Sequence, residues 1–442
     1  RDIYTLEGKI FQVEKVDDYT VKFILPVKFA PFLSGMSQAI LPKHKLEQSV
    51  KEKKFTFTWG IDTDPKEIIG TGAYMLTEYR PGERLVFERN PRYWKKSPEG
   101  NSLPYIKKQI YLIVQNADTA LLKFFDGELD YFSLRGMDYK LLKPLESKKN
   151  FTLYDSGPAF GTNFIVFNQN SGVNPETKKT FVDPVKLKWF TNLDFRRAVA
   201  HAIDKQQIIE IVMDGLGYPQ HSSMSPSSGF FYYPDVAMYD YGLNKAREIL
   251  AKAGFSDRDG DGWIEDSDGH IVQFNLSTNS GSTERMQIAA IIRHDLQKLG
   301  MKVNFLGLEF NSIVQKLNAS FDWDAIVLGL TGGVEPHFGK NVWASSGQLH
   351  LWHPQQKSPA TAWEKRMDEI FNLGSEELDE NKRKKLYDES QRIVAEQLPV
   401  IYTVLNSAIY AVRNKFENLK PSAYGGVFHN LEEIIIKEED RK

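Results

Sequence analysis

Two apolar stretches decide the fold: Val272-Gln273-Phe274-Asn275-Leu276 and Asp324-Ala325-Ile326-Val327-Leu328-Gly329-Leu330. In the first, Val272, Phe274 and Leu276 alternate with Gln273 and Asn275, the period of a strand with one buried face. The second is continuously apolar, as a strand covered on both faces would be. Between them, Thr283 to Leu299 carries Met286, Ala289, Ala290, Arg293 and Leu296 at helical spacing, and Gly300 ends it. Met301 to Leu308 has the pattern of a strand and Phe310 to Leu317 that of a short helix. The order β-α-β-α-β predicts a parallel sheet with right-handed crossovers.

In such sheets ligands sit outside the carboxyl ends of the strands. Those ends are Thr278-Asn279-Ser280-Gly281-Ser282, Glu309, and Thr331-Gly332-Gly333-Val334-Glu335-Pro336-His337. All are loops of small or polar residues. Candidate ligand-facing residues are therefore Asn279, Ser280, Thr331, Glu335 and His337. The chain continues into a Pro/Ser/Gln-rich segment from Trp343 to Trp363 with three tryptophans and two histidines. Trp343 and Trp352 are candidates for a pocket wall. The alternative is a surface loop anchored by a few aromatics.

Outward from this unit, Phe11, Val13, Tyr19, Val21, Phe23 and Leu25 predict a hairpin turning at Asp17-Asp18. A second hairpin runs from Tyr74 to Glu88 through Pro81-Gly82. Residues 47–67 are polar and charged and read as a linker or surface excursion. Helices are expected at 118–127, from Asn192 with a restart capped by Asp204, at 244–253, and over 361–398. Residues 400–412 are strand-like, and Ile434 to Ile436 precede a charged tail.

With 442 residues the chain has length for about three domains or two large lobes. Apolar residues make up 41% and aromatics 12%, enough for a large core, so wholesale disorder is excluded. Lys and Arg total 56 against 58 Asp and Glu, a balance that excludes a basic nucleic-acid-coating face. The absence of cysteine excludes disulfides, thiolate metal sites and cysteine nucleophiles. No uncharged apolar run reaches the roughly 18 residues of a membrane span. HExxH, GxSxG and Walker A motifs are absent, and no carboxylate pair singles itself out as acid and base. Catalytic residues are therefore assigned to none.

Asp257-x-Asp259-x-Asp261-Gly262-Trp263, with Asp268 at position twelve, has the spacing of an EF-hand-type calcium loop. Three carboxylates fill positions one, three and five, Gly fills six, and Trp263 offers a backbone carbonyl at seven. Position nine is Glu265. Asp268 stands where a bidentate Glu is usual, which weakens the expected affinity. The surroundings predict helix–loop–strand rather than a paired EF-hand. The competing explanation is an acidic, Gly-rich turn joining Ala253 to Ile271. Structural Ca2+ is the one ion implied, and no other cofactor.

A resemblance covers nearly the whole chain. Gly70-Thr71-Gly72-Ala73-Tyr74-Met75-Leu76, Pro81-Gly82-Glu83 and Glu88-Arg89-Asn90-Pro91-Arg92-Tyr93-Trp94 resemble the family 5 extracytoplasmic solute-binding proteins of oligopeptide, dipeptide and nickel ABC transporters. Phe125-Asp126-Gly127-Glu128-Leu129-Asp130, Asp194-Phe195-Arg196-Arg197-Ala198-Val199, Ala202-Ile203-Asp204-Lys205 and Leu398-Pro399-Val400-Ile401-Tyr402 match in the family's order. The resemblance implies an α/β, two-lobed periplasmic-binding-protein-like fold (type II, cluster C) with the remnant of a small extra domain. Residues 1–65 would be the remainder of that small middle domain, 66–168 with 401–442 lobe I, and 169–400 lobe II. It also implies a preceding segment with an export signal and membrane anchor, so the chain, opening at Arg1-Asp2-Ile3-Tyr4, resembles a truncated or processed form.

On lobe I, Gly161, Thr162 and Asn163 match the strand end that faces the cleft. Peptide-binding members follow the strand matching Asp324 to Leu330 with charged anchors and a Trp. The matching positions here are Val327, Leu330 and Gly333, and Glu335 is the nearest carboxylate. Either Glu335 takes the peptide amine, or the ligand is not a free peptide, and Trp343 and Trp352 then suit an oligosaccharide. The function implied is non-enzymatic capture of a small solute, an oligopeptide by family, and delivery to an ABC permease. The location implied is the periplasm or the outer face of the cytoplasmic membrane, as a monomer, with membrane association only through the missing anchor. The rivals are an oligosaccharide-binding member, a secreted calcium-stabilised hydrolase, and a chaperone-like lobe without solute.

Overall fold

The structure, a computed structural model, describes residues 5, 6, 9–37 and 39–440. The opening Arg1 to Tyr4 lies outside the described residues. The chain divides into two compact units. One takes residues up to 36 with Gly157–Ser407; the other takes Ser37–Ser156 and the residues from 408 on. The lobe boundaries expected from the sequence fall at 168/169 and 400/401. The breaks at 156/157 and 407/408, and both expected boundaries, lie on or beside two long strands, β1 (Phe151–Phe167) and β5 (Val400–Arg413).

In the first unit, three more strands complete the frame: β2 (Gln273–Asn279), β3 (Lys302–Leu308) and β4 (Ala325–Leu328). The sheet order is Gly217–Pro219, β5, β1, β4, β2, β3. β2 pairs parallel to β3 from Gln273↔Lys302 to Asn279↔Leu308, and parallel to β4 at Leu276↔Ala325. This is the parallel unit expected from the sequence. β1 runs antiparallel to β4, with Phe164 opposite Leu328.

The strand period sorts the core. Ile165, Phe167, Phe274, Leu276, Ala325 and Val327 point to one face. There they pack with the helices Leu193–Ala202, Lys205–Val212, Leu243–Lys252 and α1 (Thr283–Gln297). Phe164, Val166, Ile326 and Leu328 point to the other, against Ile313, Trp323, Trp352 and two helices, α2 (Ala362–Glu376) and α3 (Glu380–Gln397). Every residue of β4 is buried, as its unbroken apolar pattern requires.

α1 begins where Ser282 Oγ accepts the Arg285 N–H at 3.3 Å, and Gly300 follows it at φ +85°. Of the stripe expected from spacing, Ala289 and Leu296 are buried, whereas Met286, Ala290 and Arg293 are only half-buried; Ile288, Ile292 and Asp295 complete the buried face, which is rotated by part of a turn. Aliphatic Ile288 and Ile292 bury more apolar surface than the Arg-bearing stripe, so they set the rotation. The single helical span expected over 361–398 is two helices, because Asp379 caps a fresh start by accepting the Lys382 N–H at 3.0 Å.

In the second unit, Tyr74–Arg80, Arg84–Arg89 and Lys108–Leu112 form an antiparallel sheet. Elsewhere in this unit Phe124, Phe132 and Phe151 form an aromatic cluster, with the Arg413 guanidinium 4.3 Å over the Phe124 ring. The polar stretch read as a linker contains most of a helix, Lys43–Lys51, held by the single buried residue Leu46, and then two short 3-10 turns. Its apolar pattern is too sparse to announce a helix in sequence.

Candidate ligand-binding site

The carboxyl ends of β2 and β4 meet β1 at a rim of small and amide-bearing residues. β1 reaches the rim at Gly161-Thr162-Asn163. The Thr162 N–H donates to the Leu330 carbonyl at 2.9 Å, which fixes Thr331 beside Gly161. Gly161, Ser280 and Thr331 are exposed, whereas Thr162, Asn163 and Asn279 are buried. Gly332 passes so close to the Phe160 carbonyl that a Cβ there would collide with it.

A continuous polar chain crosses the rim. Glu284 accepts the Asn406 Nδ2 amide at 2.8 and 2.9 Å. Asn406 Oδ1 accepts Asn163 Nδ2 at 3.1 Å. Asn163 Oδ1 accepts Arg285 Nε at 3.4 Å, and Asn279 Oδ1 accepts Arg285 Nη1 at 3.2 Å. Asn163 is also held by its own carbonyl, which accepts Thr403 Oγ1 at 2.9 Å. Burial pulls the Arg285 guanidinium below the usual arginine range, and Glu284 opposes this. Glu284, Arg285 and Asn406 were not among the residues expected from sequence. The signal available was the Glu-Arg pair directly after the Ser282 cap, at a strand's carboxyl end.

The other expected residues go elsewhere. Glu335 is bidentate to Arg383, with Nη1 donating to Oε2 at 2.9 Å, and its Oε1 caps the His337 N–H at 2.9 Å. His337 is buried, its ring centroid 5.4 Å from that of Phe29 in a T-shaped contact and its Nδ1 3.3 Å from the Tyr387 hydroxyl. Burial, reinforced by Lys340 and Arg383, pushes its pKa down to about 3, so the imidazole is neutral. Trp352 is 1% exposed, packs 5.9 Å from both Trp343 and Trp363, and donates Nε1 to Glu364 at 3.2 Å. Trp343 remains half-buried beside it. These four belong to or border the second core cluster and are not among the groups joined across the rim.

In the acidic loop, ligand atoms of Asp257, Asp259, Asp261 and Glu265 all lie within 4.8 Å of one another. The Asp257 carboxylate accepts the Gly260 and Gly262 N–H groups at 2.8 and 3.0 Å. Trp263 follows Gly262 and stacks its ring under the Lys302 ammonium, 5.0 Å away. Asp268 is not brought to this group. It lies with Asp266 and His270 and pairs with Lys188 at 3.0 Å.

The model of the family described as "Bacterial extracellular solute-binding proteins, family 5 Middle" matches residues 2–348. The chain belongs to family 5 of the bacterial extracellular solute-binding proteins. This family 5 chain is 30% identical to a probable ABC transporter-binding protein of Deinococcus radiodurans, over 93% of this chain and 71% of that one. It is 28% identical to the oligopeptide-binding protein AppA of Bacillus subtilis, over 92% of this chain and 69% of that one. The solved structure of that AppA, in complex with a nonapeptide, superposes with a TM-score of 0.75 at 26% identity, covering 98% of this chain and 79% of AppA. The fold of this family 5 chain is thus the α/β fold of the periplasmic binding proteins. No helix among the described residues is long and apolar enough to cross a membrane.

Proposed function

We propose that the solute captured by this protein is an oligopeptide, delivered to an ABC permease in the periplasm or at the outer face of the cytoplasmic membrane. The observation that carries this reading is the amide rim of Asn163, Asn279 and Asn406 beside exposed Gly161, Ser280 and Thr331. The amides are largely spent on one another and on Glu284 and Arg285, which fixes the rim, and the exposed Ser280 and Thr331 hydroxyls beside them can donate and accept along a peptide backbone whatever its side chains are. Likeness to AppA supports the same class. The protein acts as a monomeric binder and not an enzyme. In support, the carboxylate of the rim chain, Glu284, is occupied by Asn406 rather than paired with a second acid. On this reading 169–400 form lobe II, 66–168 with 401–442 lobe I, and 1–65 the remainder of a small domain.

The test is native mass spectrometry of the purified protein, followed by calorimetry with peptides and oligosaccharides. Peptide masses retained on the protein and peptide-only heats are expected. Saturable binding of oligosaccharides alone would overturn the peptide reading while leaving solute binding in place.

We also propose that Asp257, Asp259, Asp261 and Glu265, with the Trp263 carbonyl, hold a structural Ca2+. Hard carboxylate oxygens at this spacing suit that ion. The ion would brace the turn between the helix Leu243–Lys252 and β2.

A further inference from the structure

Arg285 is the one cation in the polar chain across the rim, and its hydrogen bonds go to neutral amide oxygens. Nε and Nη1 reach Asn163 and Asn279 at 3.4 and 3.2 Å. Among the described residues no carboxylate lies within ion-pair distance of it and Nη2 donates no hydrogen bond. Glu284, its neighbour in sequence, is turned to Asn406. Elsewhere in the same unit, Arg383 and Arg366 are each forked onto a carboxylate, Glu335 and Glu389.

The position is built. Nη2 lies against Gly329, where a Cβ would collide first with the Thr162 carbonyl and would stand 2.7 Å from Nη2, so the close backbone approach that demands glycine there also leaves the face on which the guanidinium rests. Gly329 directly follows β4, and Asn279 ends β2. Arg285 therefore stands at the carboxyl ends of two parallel strands, the place where open α/β sheets take their ligands. A partly desolvated guanidinium with only two weak neutral partners retains donors in the planar fork that fits a carboxylate.

We propose that Arg285 is a specificity-determining residue that anchors a carboxylate of the ligand, with Asn163 and Asn279 fixing the plane of its fork. This rests on the oligopeptide reading above and narrows it to ligands that present a carboxylate at this rim. That group is either the peptide's C-terminus or an acidic side chain.

The test is calorimetry on the full chain with alanine peptides of graded length as free acids, as C-terminal amides, and as amides carrying one aspartate. The free acid is expected to bind about 30-fold or more tightly than the plain amide. Recovery of affinity by the aspartate amide would assign the anchor to side-chain carboxylates in general; no recovery would assign it to the C-terminus. Arg285→Gln is expected to weaken the free acid and to erase the acid–amide difference, with Arg285→Lys between it and wild type. Equal binding of acid and amide to wild-type protein overturns the proposal without any variant. So does an acid–amide ratio unchanged in Arg285→Gln, and either result leaves the peptide reading intact. If no peptide form binds but a neutral oligosaccharide does, equally in wild type and Arg285→Gln, the anchor and the peptide reading fall together.

Discussion

Glu335 and Arg383 form an ion pair whose side chains are only 11% and 6% exposed. Arg383 also donates Nε to the Gly374 carbonyl at 2.7 Å and stacks 5.2 Å from the rings of Phe231 and Tyr387. Removing one partner of such a pair strands the other charge out of water. Glu335→Gln is therefore expected to cost about 3–5 kcal/mol, read as a lower urea midpoint at unchanged slope. Replacing both partners with apolar residues of similar volume should recover most of that loss, because the desolvation cost disappears with the charges. A midpoint unmoved by Glu335→Gln would show that the pair is open to water. Sequence makes Glu335 a plausible amine anchor, since it stands just past a strand's carboxyl end. Its real partner lies 48 residues away, and pairing at that distance is a tertiary fact that local spacing does not carry. Trp352 misleads in the same way. Composition marks an aromatic segment but does not say whether its indoles face a ligand or one another.

At the scale of elements, period and punctuation did most of the work. β2, α1, β3 and β4 follow from alternation, helical spacing and Gly300, and their parallel order follows from handedness. Asn279, Ser280 and Thr331 were legible as candidates because they end strands. Asn406 was not, because it lies inside a long uncharged strand and meets the rim only through pairing across the sheet. The acidic loop sits between these cases. Its Asp spacing was legible, whereas the closing carboxylate was not. The bridge pairing of Glu265 with both Ser256 and Ile271 folds position nine inward and leaves Asp268 with Lys188. If the loop holds Ca2+, EGTA should lower the melting temperature, and saturating calcium at about 100 times Kd should restore about 2.7 kcal/mol. Glu265→Gln is expected to shrink that calcium-dependent shift and Asp268→Asn to leave it unchanged. A melting temperature indifferent to EGTA removes the ion, and an effect of Asp268→Asn as large as that of Glu265→Gln restores the twelve-position loop.

For the whole molecule, pH acts through a few buried groups, since a net charge of -2 leaves little global repulsion to relieve. Burial opposes the low pKa of Glu364, but contacts from His350, Trp352, Thr361 and Gln356 outweigh it and hold the carboxylate at about 2. Its contribution is complete above the unfolded value near 4.5 and is lost as pH falls through about 2. Burial holds His337 at about 3 against 6.5 when unfolded, so only the unfolded chain takes a proton between those values. Stability must therefore fall as pH drops from 6.5 towards 3. Lys205 is the alkaline counterpart. Burial lowers its ammonium from 10.5 to about 7 while Nζ donates to the Gln220 carbonyl at 2.7 Å. Between those values the unfolded chain again holds the extra proton, so stability rises with pH. Each group contributes a slope of at most about 1.4 kcal/mol per pH unit inside its own window. The urea midpoint is thus expected to climb from pH 4 through 7 to 9. His337→Asn should make the acid limb shallower, with part of it kept by His221, which burial and the Lys205 ammonium hold at about 4, and Lys205→Met should flatten the alkaline limb. A midpoint that peaks near neutrality and declines by pH 9 would mean that Lys205 keeps its charge in the folded protein, with water or a carboxylate reaching it.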